Sequence, residues 1–133
     1  MSQTSALLKY QIHWEKAGVY VKLSGILNFE EAFMLFGQIA SDPRYPKLNY
    51  RIYDMHEVVR IENTEACVHK QASISSASSN MIHAIRHKIA FVAEKNDQNR
   101  RLFHIYKESL RSPKLEAEMF STLVEARRWI QNP

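Results

Sequence analysis

The sequence predicts an α/β domain: a mixed, mostly parallel sheet of about five strands with about four helices, opened by an antiparallel hairpin. Three observations point to it. Two alternating apolar segments near the start flank a short link that contains glycine. Strand-like and helix-like patterns then alternate to the end of the chain. A run at residues 88–93, continuously apolar from Ile89, has the composition of a central strand covered on both faces.

In residues 9–14, Tyr10, Ile12 and Trp14 alternate with Gln11 and His13, and Val19, Val21 and Leu23 repeat that period. Glu15, Lys16, Ala17 and Gly18 link the two segments as a hairpin, with Gly18 expected to supply a positive φ. Asn28 is an N-cap candidate for a helix in which Phe29, Ala32, Phe33, Phe36, Ile39 and Ala40 recur at helical spacing until Asp42 and Pro43 stop it. A linker with Pro43 and Pro46 leads to a short β-prone run at residues 50–55. From Thr64 to about Ile85 there is neither proline nor glycine, and Val68, Ala72, Ser75, Ser79 and Ile82 share one face, which predicts one long helix. Its serine-rich stretch, 73–79, has mediocre helix propensity, but its small side chains permit close backbone packing. After the strand at 88–93, Asp97 offers an N-cap for a helix carrying Leu102, Phe103, Ile105, Tyr106 and Leu110. A strand is expected near 118–120. Thr122 and Glu125 then form a capping-box pattern before a helix with Leu123, Ala126, Trp129 and Ile130 on its apolar side.

The 133 residues suit one domain, 1–133, and a composition of 45% hydrophobic and 24% charged residues excludes collagen-like and disordered chains. No apolar run approaches the roughly 18–20 residues of a membrane span, so no integral membrane segment is expected. The start of the chain lacks the basic and apolar regions of a secretory signal, and the single Cys67 cannot form an internal disulfide; a cytoplasmic location is expected. The net charge of +4 is spread among interspersed acidic residues, which reads as a solvated mixed-charge surface rather than a nucleic-acid footprint.

Several chemistries lack their residues. His83 and His87 stand four apart near the expected end of the long helix, where cationic side chains suit the macrodipole; two imidazoles do not make a metal site. Cys67, one turn into that helix and beside Glu62 and Glu65, reads as a small buried hydrophobe rather than a nucleophile. With only Gly18, Gly25 and Gly37, there is no glycine-rich phosphate loop. No catalytic set, metal or cofactor is assigned, and the chain is expected not to be an enzyme.

The order of elements, together with residues 23–27, 42–46, 86–93 and above all the Phe-Ser-x-x-x-Glu-Ala-x-x-Trp-Ile pattern at 120–130, resembles the SpoIIAA-like branch of the STAS superfamily, including small bacterial members of unassigned function. The resemblance implies a cytoplasmic binding or regulatory domain that acts through a protein partner, as anti-sigma factor antagonists do. In that family a strand ending in an aspartate leads to a helix-opening element whose hydroxyl is phosphorylated, a charge change suited to switching a partner surface. Setting Asp54 at the strand end places Glu62, Asn63, Thr64 and Glu65 on that element, so Asp54, Asn63 and Thr64 form the candidate partner and switch region. Asn63 stands where the family has a hydroxyl residue, and either it or Thr64 also suits a helix N-cap. The alternative implied is a carrier or sensor of a hydrophobic, lipid-like small molecule, for which Phe29, Phe33 and Phe36 on one helix are the supporting feature. Exposed apolar residues, for which Met34 and Leu35 are candidates, would suit a homodimer.

Overall fold

The computed structural model describes residues 7–62, 65–82 and 86–132. Strands β1 (Leu8–Trp14) and β2 (Gly18–Leu27) form the hairpin, followed by α1 (Phe29–Ala40), a 3-10 turn at Tyr45–Lys47 and β3 (Tyr50–Ile61). Then come α2 (Glu65–Ile82), β4 (His87–Val92), α3 (Asp97–Ser109), β5 (Leu115–Phe120) and α4 (Leu123–Gln131). The five strands form one sheet in the order β1-β2-β3-β4-β5, with β1 antiparallel to β2 and every later pair parallel.

That order decides where the helices go. Each of α1, α2 and α3 joins a strand to its immediate parallel neighbour, always in the same direction across the sheet. Right-handed crossovers therefore put all three on one face. Only α4, which follows the last strand, can cover the other. The strands obey this division by parity. Val19, Val21 and Leu23 with Ile39 and Leu35, and Ile89 and Ala117 with Val68, Ala72 and Tyr106, fill the side of α1–α3. Ile52, Ala90 and Val92 meet Ala126, Trp129 and Ile130 of α4 on the reverse.

The caps follow the local code. The Asn28 side chain accepts from the Glu31 amide at 2.9 Å, and the Thr122 hydroxyl from the Glu125 amide at 3.2 Å. At α3 the cap is Asn96 rather than Asp97, its side chain accepting from the Asn99 amide at 2.8 Å. In α2 the face carrying Val68, Ala72, Ser75 and Ser79 is buried, along with Ser76, and the small side chains let it lie close along α3. The Ser76 hydroxyl donates to the Ala72 carbonyl at 2.8 Å and accepts from the Arg111 amide, also at 2.8 Å, tying α2 to the segment after α3.

Other expectations need correction. Gly18 has no positive φ; among the described glycines only Gly25 does, at 84°. What requires a glycine at 18 is space, because a Cβ there would stand 2.3–2.4 Å from three atoms of the Tyr50 ring. Leu35 is buried at 3% exposure while Met34 is open at 66%, so of these two it is Met34 that presents an apolar surface. His87 is not on a helix with His83: it is the first residue of β4 and fully buried, and His83 lies outside the described residues. Cys67 is half-buried. β3 is twice the expected length. It pairs with β4 from Tyr50 through Asp54 and then runs on beside β2 alone to Ile61.

Candidate ligand-binding site

On the side of the three crossover helices, α2 lies along α3 but touches α1 only lightly. The gap is a cavity of about 150 Å³. Its floor is the helix-facing side of the sheet, including Leu23, Tyr53, Met55, Phe91 and Met119; its walls include Ala32 and Phe36 of α1, Val68 and Ile74 of α2, and Leu102, Phe103 and Tyr106 of α3. Phe33, 48% exposed, belongs to both the cavity wall and the surface, and stacks on Phe29 at 6.1 Å. An aromatic cluster forms part of the lining: the Phe91 ring lies 5.5 Å from Tyr53, 5.9 Å from Phe103 and 5.2 Å from Tyr106.

One charged side chain lies in this lining, and it is a cation. Arg51 is 1% exposed. Strand parity puts it there: it precedes Ile52, which faces α4, so it must face the other helices, in a central strand with no solvent face. Its Nε donates to His87 Nε2 at 2.9 Å and its Nη1 to the Tyr53 hydroxyl at 2.9 Å. The guanidinium carbon stands 5.1 Å from the Phe36 ring centre, 5.8 Å from Tyr53 and 5.9 Å from Tyr45. Nη2 is withdrawn from water and has no acceptor among the described residues. Neither Asp nor Glu contributes to the lining. A buried ion without a counter-ion costs several kcal/mol even after relaxation, and here hydrogen bonds to neutral groups and the faces of aromatic rings offset only part of that cost.

The protonation states around Arg51 follow from the hydrogen bonds. His87 Nε2 accepts from Arg51 and so carries no proton, while Nδ1, 3.0 Å from the Leu48 carbonyl, is the donor; the imidazole is neutral. Burial opposes the charge on Arg51, but the phenol oxygens of Tyr53, Tyr45 and Tyr106 hold its proton above the ordinary arginine range. Burial pushes the Tyr53 and Tyr106 phenols up in turn, against the pull of Arg51, so both remain protonated donors. Tyr106 donates to Ser75 Oγ at 3.3 Å.

Asp54 lies on the other face. It is the last β3 residue paired with β4, but it is not a strand end, because β3 continues for seven residues to Ile61. Its carboxylate accepts from the Tyr20 hydroxyl at 2.6 Å and from the His56 amide at 3.2 Å, and the His56 ring stands 3.3 Å away. Burial, then the hydrogen bond to Asp54, pushes the Tyr20 phenol up to about 12. Asp54 thus sits beneath α4 with its oxygens engaged, across the sheet from the cavity. Asn63 and Thr64 lie outside the described residues. Among the described residues no group of three or more His, Cys, Asp or Glu side chains could hold a metal ion, and no helix is long and apolar enough to cross a membrane.

Sequence reasoning did not single out Arg51. The available signal was parity: a charged residue in a short apolar segment destined for the middle of a sheet has nowhere to reach water.

With this geometry in view, solved structures give the fold its class. It is SpoIIAA-like. An uncharacterized protein of the DUF3478 family from Shewanella loihica PV-4, described as having a SpoIIAA-like fold, matches with a TM-score of 0.56 and 12% identity over 98% of each chain. The anti-sigma factor antagonist SpoIIAA in its unphosphorylated form matches with a TM-score of 0.58 and 12% identity, over 94% of this chain and all of the other. An anti-sigma factor antagonist from Mycobacterium paratuberculosis matches with a TM-score of 0.58 and 13% identity, over 94% and 95% of the two chains. No family model and no curated protein sequence matches this chain.

Proposed function

We propose that the protein is a non-enzymatic binding module whose working site is the cavity between α1, α2 and the sheet, where it holds a hydrophobic small molecule as a carrier or sensor. The observation that carries this reading is the apolar cavity itself, walled by aliphatic and aromatic side chains from all three crossover helices and reaching the surface at Phe33. A dry cavity of this volume accommodates a molecule about the size of benzene. Occupancy would bridge α1 and α2, which barely touch without it, so the ligand would act on the relative position of two helices.

Action through a protein partner, as the anti-sigma factor antagonists of the same fold are named for, is the second reading. Its support is the fold likeness and the position of Asp54 beside the exposed His56. In a single regulatory module, the ligand-filled cavity would set the surface that the partner reads.

The test is methyl NMR, titrating matched series of medium-chain acids and alcohols into freshly purified protein and weighing the same preparation by native mass spectrometry. Methyl groups of Met55, Ile74 and Met119 should shift on titration, and those of Ala126 and Ile130 across the sheet should not. If no member of either series moves the cavity methyls, and the preparation carries no added mass, the reading is wrong.

A further inference from the structure

Resting on the cavity as the binding site, we infer that its ligand is a monocarboxylate with a hydrocarbon or single-ring tail, whose carboxylate pairs with Arg51. The geometry supplies the head-group chemistry. Of the five N–H hydrogens on a guanidinium, two are committed in Arg51, one to His87 and one to Tyr53. Nη2 has no acceptor among the described residues, and since it is closed to water a carboxylate reaches it only as the guanidinium or the side chains around it shift. The hydroxyl of Tyr53, which accepts from Arg51, keeps its own proton for donation.

Charge balance narrows the class. Among the described residues the lining holds one cation and neither Lys, His, Asp nor Glu. One negative charge would neutralise it. A phosphate monoester, at about −1.5 to −2 near neutral pH, would bring an excess anion into an apolar enclosure, and an alcohol would leave the cation unpaired. Two carboxylate oxygens also match the planar fork of a guanidinium better than a spherical anion does. The tail would lie along Leu23, Met55 and Phe103; the enclosed volume suits about one ring or roughly six carbons, and a longer chain would run out past Phe33.

The experiment compares octanoate, octanol and octyl phosphate on the wild-type protein by isothermal titration calorimetry at neutral pH, so that only the head group changes. Octanoate should bind at least about 30-fold more tightly than octanol, the scale of a hydrogen bond to a charged group, and more tightly than octyl phosphate. Equal affinities for the acid and the alcohol would overturn the head-group assignment while leaving the cavity reading intact. Tighter binding of octyl phosphate would overturn the monoanion assignment in the same way. Binding of none of the three would remove the cavity reading and this inference together. In Arg51→Met, checked for folding by circular dichroism, the preference for octanoate should collapse; a preference that survives overturns the role of Arg51. The wild-type comparison is decisive by itself where that variant does not fold.

Discussion

Replacing Gly25 by alanine should destabilise the protein by about 2–4 kcal/mol. Gly25 has φ 84°, where an L side chain costs roughly 1–2 kcal/mol. A Cβ there would also stand 2.4 Å from the Leu7 carbonyl oxygen. That oxygen is not free to retreat, because it accepts from the Ile26 amide at 2.9 Å. Moving the start of β1 would also strain the Leu7 and Leu8 amides, which both donate to Glu31 Oε1 at 3.1 Å and so fasten the hairpin to α1. Losing one or two such bonds adds about 1 kcal/mol each. Urea denaturation followed by tryptophan fluorescence is the assay, and the midpoint should fall by about 1–2 M with the slope unchanged. Gly37→Ala is the control: it is an exposed interior position of α1 where an added methyl would have nothing within 4 Å, and it should gain about 0.5–1 kcal/mol. A Gly25→Ala midpoint within experimental error of wild type would refute the argument. Gly25 also lies between Leu23 and Leu27, both in the cavity lining, so the variant should weaken ligand binding as well as folding.

Three further outcomes follow from individual side chains. Glu15 is held below the usual carboxylate range, chiefly by its hydrogen bonds from Arg127 against the opposing effect of burial. Its contribution is therefore complete above its unfolded value of 4.5 and lost as pH falls below it, so the stability gap between wild type and Glu15→Gln, read by urea melts, should narrow from pH 5 downward. A gap that widens on acidification would contradict this. The Tyr20 phenol, pushed up to about 12 by burial and Asp54, favours the folded state below its unfolded value of 10.0 and ceases to do so as pH rises through about 12. Difference absorbance between wild type and Tyr20→Phe should show no tyrosinate from this residue at pH 10, and Asp54→Asn should move its titration downward. Finally, the Ser79 hydroxyl is fully buried with no partner among the described residues, so Ser79→Ala should raise the thermal midpoint, by about 1 kcal/mol in stability terms. A lowered midpoint would mean that the hydroxyl does have a partner.

What was legible in the sequence was whatever the local chain decides. Asn28 and Thr122 cap their helices because capping needs only a side-chain oxygen and an amide three residues on, and the alternation at 19–23 survives because one face is apolar. The second half of β3 was hidden because, past Asp54, it leaves the cover of β4. His56, Glu57, Val59 and Arg60 are exposed there and carry no apolar alternation to mark a strand, although the backbone still pairs with β2. His87 read as the cationic end of a helix because it stands four residues after His83 where the long helix was expected to end; its hydrogen-bond partner in the core is Arg51, 36 residues away. Gly18 was expected to serve a turn, but what it makes room for is a ring on another strand. The cavity was the least legible. Phe33 fits the apolar stripe of α1, and only the gap between α1 and α2 leaves it half outside.

The hairpin loop has a late attachment. Arg127 of α4 donates two bonds to the Glu15 carboxylate, Nη1 to Oε1 at 3.0 Å and Nη2 to Oε2 at 2.8 Å, and the Tyr50 hydroxyl also donates to Glu15. The partners of this clasp stand 112 residues apart, nearly the length of the chain. During synthesis the hairpin emerges 112 residues ahead of Arg127, so these two bonds to Glu15 cannot form until α4 docks. Closing a contact of such sequence separation costs chain entropy before it returns stabilisation, which places this clasp among the contacts that close once the strands and α4 are already assembled. The clasp should therefore act as a latch that slows unfolding of the finished molecule, with little part in how fast the fold is reached.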